Sequence, residues 1–308
     1  MSLVVVGTMA YDTVKTPFGK RQSALGGSAT YFSISASFFT QVNLVAVIGE
    51  DFSNDHLSML KQKNINTDGV QQMDGKTFHW SGEYGDKLNE ANTLATDLNV
   101  LERFDPVLPD SYLDSEYLFL ANIDPVLQIK VLDQMKNPRL VACDTMNFWI
   151  EGSINNLKKT LERVDILIIN DGEARMLAKT PNLVKAAREI RTMGPDTIVI
   201  KQGEYGALLF YEDTIFSAPA FPLEKVNDPT GAGDTFAGGL MGHIAKMNEK
   251  ELSNTLLRQA IIMGSVMASY TVEEFSVDRL EKLKPEMIVD RFRQFDHLTS
   301  FEGLSSEV

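Results

Sequence analysis

Short apolar runs that alternate with stretches of helical period constrain this chain more than any other feature. The runs at 3–6, 44–48, 117–120, 140–143, 166–169, 197–200 and 207–210 are rich in β-branched residues and do not alternate with polar ones. Such runs suit strands covered on both faces. Helical periods fall near 28–40, 53–63, 125–136, 153–163, 171–178, 182–193, 235–247, 250–269 and 284–294. The rhythm predicts an α/β fold, a three-layer α/β/α sandwich around a mostly parallel sheet. Residues 11–25 and 76–100 break it. The first carries Pro17 and Gly19; the second alternates from Lys76 to Tyr84 and again from Asn92 to Val100. Alternation implies antiparallel strands with one buried face. Both insertions are read as a small β-sheet lid over the carboxyl edge of the main sheet. The expected organisation is one domain over 1–295 and a polar tail over 296–308.

Bulk properties narrow the partners. At 308 residues and 44% hydrophobic, the chain can bury a sizeable core. A net charge of −13 argues against nucleic acid or an anionic membrane surface. Cys143 is the single cysteine, so no intrachain disulfide forms, and its apolar neighbours make it a core residue. The first residues lack the basic start and apolar length of a signal peptide, and no segment reaches the length of a membrane span. A cytoplasmic, reducing setting is the expectation.

The chemistry concentrates in Val226-Asn227-Asp228-Pro229-Thr230-Gly231-Ala232-Gly233-Asp234-Thr235-Phe236. Gly231, Ala232 and Gly233 leave backbone amides unobstructed just before a helix, and amides at a helix N-terminus suit phosphate. A carboxylate at Asp234 would repel an anion held there. The conflict resolves if Asp234 takes a proton from a hydroxyl while the amides of Gly231, Ala232 and Gly233 hold the phosphoryl group in transfer.

This loop resembles the C-terminal signature of the ribokinase-like (PfkB) carbohydrate kinases, and other motifs follow in the order that family has them. Gly7-Thr8-Met9-Ala10-Tyr11-Asp12 follows the first strand, where open α/β sheets bind ligands. The resemblance implies that Asp12 binds hydroxyls of the acceptor. Leu25-Gly26-Gly27-Ser28 is similar to the family's glycine pair, which lies against the acceptor; Ser28 also suits a helix cap. Tyr31 stands where the family has a sugar-binding asparagine, so a ring is available to a nucleobase or an apolar substrate face. Asn170-Asp171-Gly172-Glu173 is similar to the family's Asn-x-x-Glu, which implies a place for Mg²⁺ and ATP phosphates around Asn170 and Glu173. The same spacing equally suits a capping box. Lys201-Gln202-Gly203-Glu204-Tyr205-Gly206 ends a strand in a hairpin turn. The resemblance places nucleotide contacts at Lys201, Gly203 and Gly206, with lysine where threonine is common. It also implies K⁺ near Asp228 and the 271–277 segment, although Glu273-Glu274-Phe275 lacks the expected glycine.

Other patterns lead nowhere. Asp74-Gly75-Lys76-Thr77 lacks the first glycine and following helix of a P-loop, and the four histidines form no ligand pattern. Asp144, after its strand, is a minor candidate for the acceptor pocket. The reading is an ATP- and Mg²⁺-dependent kinase acting on a hydroxymethyl group of a sugar or nucleoside. The alternative is a catalytically weak sensor of such a molecule. The resemblance further implies a homodimer formed through the lid.

Overall fold

The computed structural model describes residues 2–300. The chain begins with β1 (Ser2–Val6), β2 (Ala10–Thr16), β3 (Gly19–Gly26), α1 (Ser28–Ala36) and β4 (Gln41–Ile48). Next come α2 (Asn54–Gln62), β5 (Ile65–Gln72), β6 (Phe78–Tyr84), β7 (Ala91–Asp97) and β8 (Tyr117–Leu120). The centre holds α3 (Pro125–Gln134), β9 (Leu140–Asp144), α4 (Asn147–Gly152), α5 (Ile154–Leu161), β10 (Ile166–Asn170), α6 (Asp171–Ala178) and α7 (Leu183–Arg191). The last part holds β11 (Thr197–Lys201), β12 (Ala207–Tyr211), β13 (Thr214–Ala218), α8 (Ala232–Met247), α9 (Asn254–Thr271), α10 (Asp278–Lys282) and α11 (Pro285–Thr299).

The large sheet has the strand order β13-β12-β11-β10-β9-β8-β1-β4-β5. It is parallel from β11 through β5; β12 and β13 join antiparallel at one edge. In β1, Leu3 and Val5 face one hydrophobic cluster while Val4 and Val6 face the other. All four are fully buried. Both faces are therefore covered, which is why the strand reads as an unbroken apolar run. Each such side chain contributes on the order of 1.5–3 kcal/mol by its burial. Helices α1, α8 and α9 supply one outer layer; α3, α5, α6 and α7 supply the other. The chain goes from β1 to β4 and β5 on one side, then to β8 on the other. That reversal opens a crevice at the carboxyl ends of β1 and β8.

The lid is a separate four-stranded sheet, ordered β3-β2-β6-β7. Strands β2 and β3 form a hairpin, β6 and β7 form another, and β2 and β6 join them in parallel. The two insertions thus form one sheet, as read from the sequence.

Several boundaries differ. Strands β5 and β13 were not expected: Asn66, Asp68 and Gln71 in the one and Thr214 and Ser217 in the other break the apolar pattern, because both are edge strands. The helix expected at 28–40 ends at Ala36. Helix α8 starts at Ala232 rather than 235, so Asp234 lies in its first turn. Helix α11 continues through Thr299, into the stretch expected as tail; the rest of that tail, 301–308, lies outside the described residues.

Candidate active site

Asp234 is positioned from both sides of α8. The next residue, Thr235, is fully buried; its carbonyl accepts from Ser35 Oγ of α1 (2.7 Å) and its hydroxyl meets Thr271 Oγ1 of α9 (2.9 Å). Gly231 caps the helix with φ +74°, a left-handed conformation that strains any residue with a Cβ. Space forbids a side chain there too: a Cβ would lie 2.4 Å from the Tyr31 ring. The Ala232 amide donates to the Pro229 carbonyl at 3.2 Å, closing the turn. The amides of Gly231 and Gly233 have no hydrogen-bond partner among the described residues. Two amide donors therefore stay available at the positive end of a long helix.

Facing them is a cluster formed at the carboxyl ends of three adjacent strands. Lys201 ends β11, Asn170 ends β10 opposite it, and Asp144 ends β9. Lys201 Nζ pairs with Asp144 Oδ2 at 3.1 Å, and the amine lies against Gly233. Burial pushes the Asp234 carboxyl up to about 7, and Asp144 adds to the rise while Lys201 opposes it. Burial likewise lifts Glu173 to about 7, with Asp144 and Asp234 adding and Lys201 opposing. For Lys201 burial works against the charged form, but Asp144, Glu173 and Asp234 outweigh it and hold its pKa above the usual value. A single cation thus binds three carboxyls electrostatically. Asn170 and Glu173 do form a capping box: Asn170 Oδ1 accepts the Glu173 amide and Glu173 Oε2 accepts the Asn170 amide, both at 2.8 Å. The second Glu173 oxygen remains for other work.

The lid supplies the opposite wall. Asp12, on β2, is 5% exposed and its carboxylate lies directly against Gly26. Burial raises its carboxyl to about 7; Asp228 and Asp234 add to the rise, and the Gly27 amide opposes it. Tyr31 is 2% exposed, with its ring beneath Gly231 rather than spread on a surface. Tyr84, at the end of β6, meets Thr230 Oγ1 at 3.2 Å, a direct tie between lid and loop. At the lid tip Asn89 Nδ2 donates to Glu204 at 3.3 Å.

Beside the cluster lies a cavity of about 500 Å³. Lys201, Gly203, Gly206 and Gly233 line it together with Phe221, Leu223, Phe236, Val272 and residues 86–89 of the lid tip. Lys201, Gly203 and Gly206, the residues given to the nucleotide from the sequence, thus line one cavity. Asp228 is 1% exposed; Oδ1 accepts the Thr230 amide (2.9 Å) and Oδ2 the Ser276 amide (3.3 Å). Ser276 itself takes a left-handed conformation (φ +56°). Among the described residues no group of three or more His, Cys, Asp or Glu side chains could enclose a metal ion. Cys143 is fully buried, and burial raises its thiol far above the ordinary range. No helix among the described residues is long and apolar enough to cross a membrane.

Sequence reasoning ranked Asp144 as a minor candidate for the acceptor pocket; its carboxylate pairs with Lys201, a pairing across 57 positions that no local pattern signals. It also missed the tie from Tyr84 to Thr230. The end of an alternating strand facing a glycine-rich loop was the available hint.

Comparison with known proteins identifies the family. The family described as pfkB family carbohydrate kinase matches residues 2–282, and the chain belongs to that family. It is 32% identical over 248 residues to a cytidine kinase of Thermococcus kodakarensis, covering 78% of this chain and 87% of that one. It is 32% identical over 290 residues to a nucleoside kinase of Methanothermobacter thermautotrophicus, covering 88% and 89%. Its fold is similar to that of the Burkholderia thailandensis nucleoside kinase in complex with inosine, with a TM-score of 0.77 at 18% identity over 96% of this chain and 97% of that one.

Proposed function

We propose that this chain transfers the γ-phosphoryl group of ATP to a hydroxymethyl group of a sugar or nucleoside. The observation that carries the reading is the pairing of Asp234 with the unpartnered amides of Gly231 and Gly233. A base and an anion-binding turn on the same helical turn suit a hydroxyl that loses a proton as it attacks phosphorus. The named relatives, a cytidine kinase and a nucleoside kinase, support an acceptor of this class.

In the proposed reaction Asp12 accepts hydrogen bonds from acceptor hydroxyls, with Gly26 and Gly27 against the acceptor's backbone-facing side. Asp234 removes the hydroxyl proton as the new oxygen–phosphorus bond forms and the bond to the ADP oxygen breaks. The Gly231 and Gly233 amides, with Lys201, hold the charge of the moving phosphoryl group. Gly203 and Gly206 leave room for the nucleotide in the cavity beside Lys201. Mg²⁺ commonly keeps several waters and takes one or two carboxylates with phosphate oxygens. The free Glu173 oxygen fits that role, and the ion would supply neutralisation of phosphate charge. Each Asp228 oxygen accepts one amide and keeps a second lone pair, so the carboxylate can still meet a monovalent cation such as K⁺.

Asp234→Asn is the direct test. Turnover should fall by roughly 10²–10⁴-fold, the scale of a lost general base, while ATP affinity changes little. Near-wild-type turnover in that variant would sink the proposal.

A further inference from the structure

The inner face of the lid carries one aromatic ring that the reaction outlined above does not use. Laterally paired residues of a sheet point to the same face. Asp12 pairs with Trp80 across β2 and β6, and Trp80 pairs with Thr96 across β6 and β7. Tyr84, four residues further along β6, shares that face and reaches the loop at Thr230. Trp80 therefore points toward the same space as Asp12.

The ring does not stand upright. A Cβ placed on Gly82 would lie 2.2 Å from Trp80 Cη2 and 2.3 Å from Cζ2, so the indole is folded down onto the bare backbone of residue 82. Its Nε1–H donates to Thr93 Oγ1 at 3.3 Å, which fixes the ring's rotation. Trp80 is half-buried, and no other aromatic ring among the described residues stacks on it. The ring rests on Gly82 and keeps part of its surface open. An indole folded onto bare backbone and pinned by its N–H is a stacking platform.

Its location indicates what stacks there. Neighbouring strands lie about 4.8 Å apart, roughly the width of one sugar ring. A pentose held by Asp12 occupies the space over β2. The Trp80 ring, one strand further toward β7, meets whatever the sugar carries. We propose that Trp80 is the platform for a nucleobase, which makes the acceptor a nucleoside rather than a free sugar. This rests on the kinase reading only for the orientation of the sugar at Asp12.

The chain has two tryptophans, Trp80 and Trp149, so a Trp149→Phe background leaves Trp80 as sole fluorophore. Titration with cytidine or adenosine should quench that emission saturably, whereas ribose at saturating concentration should not. In steady-state assays Trp80→Ala should lower the kcat/KM preference for nucleoside over ribose roughly 5- to 150-fold, the scale of one base stacked on one aromatic ring. Trp80→Phe should retain most of the preference. Gly82→Ala, which lifts the ring, should act in the same direction as Trp80→Ala. Nucleosides that do not bind, or that bind without changing Trp80 emission, would overturn the proposal, as would an unchanged preference in Trp80→Ala. Saturable quenching without phosphate transfer would instead overturn the kinase reading and leave the platform standing.

Discussion

The sandwich and the lid bear on the same site with opposite construction. The floor strands β8, β9 and β10 are buried along almost their whole length. The outer lid strand β7 is exposed at every residue from Ala91 to Asp97. Groups on the floor are held by covered strands and by helices packed on each other. Groups on the lid depend on a thin sheet with little of its own to bury. The difference teaches where precision is kept: the carboxyl proposed as the base, the free amides and Lys201 sit on the sandwich, while Asp12, proposed to meet the acceptor, sits on the lid. A lid of this kind gains order from what it closes on, through Tyr84 to Thr230 and Asn89 to Glu204.

That comparison can be broken first on the floor. Gly231→Ala places a Cβ into the Tyr31 ring on a residue with positive φ, so the loop must move and its amides with it. Turnover should drop by about 10²–10³-fold, the usual loss for one misplaced anion-hole donor. Circular dichroism should remain that of a folded protein, and unchanged turnover would count against the amide role.

A second test is pH. The Asp234 carboxyl is raised to about 7, and a base must be deprotonated to act. The acid limb of kcat/KM should therefore fall near pH 7 rather than near 4, with activity dropping about tenfold per pH unit below it. A limb at pH 4 would show that burial and Asp144 do not set the base.

The smallest effect belongs to the lid. Tyr84→Phe removes one hydrogen bond between lid and loop. At about 0.5–1.5 kcal/mol for such a bond, the acceptor KM should rise roughly 2- to 10-fold with little change in kcat. A loss as large as that of Gly231→Ala would mean that the lid also sets the floor's geometry.

The sequence made the main architecture legible because burial on both faces writes itself as apolar runs, as in β1, β8 and β10. It concealed β5, where only Ile65 and Gly69 are fully covered and the other positions are polar or partly open. Candidate site residues stand out where they follow strands or glycines: Asp12 after β1, Asn170 and Lys201 at the ends of β10 and β11, and Asp234 after Gly233. What remained hidden was pairing. Asp144 beside Lys201, Tyr84 beside Thr230, and the Trp80 ring on Gly82 depend on which elements face each other, and no local spacing encodes that. The chemistry of Asn170 and Glu173 was ambiguous for a different reason, since one pair of residues both caps α6 and faces the cluster.

Three carboxyls, Asp12, Glu173 and Asp234, are each raised to about 7. Near neutrality the crevice is therefore a proton store, partly charged and readily adjusted. A ligand that brings positive charge releases protons to the solvent, and one that brings negative charge draws them in. Loading this molecule should thus exchange protons with the surrounding buffer, and ligand affinity should shift with pH near neutrality.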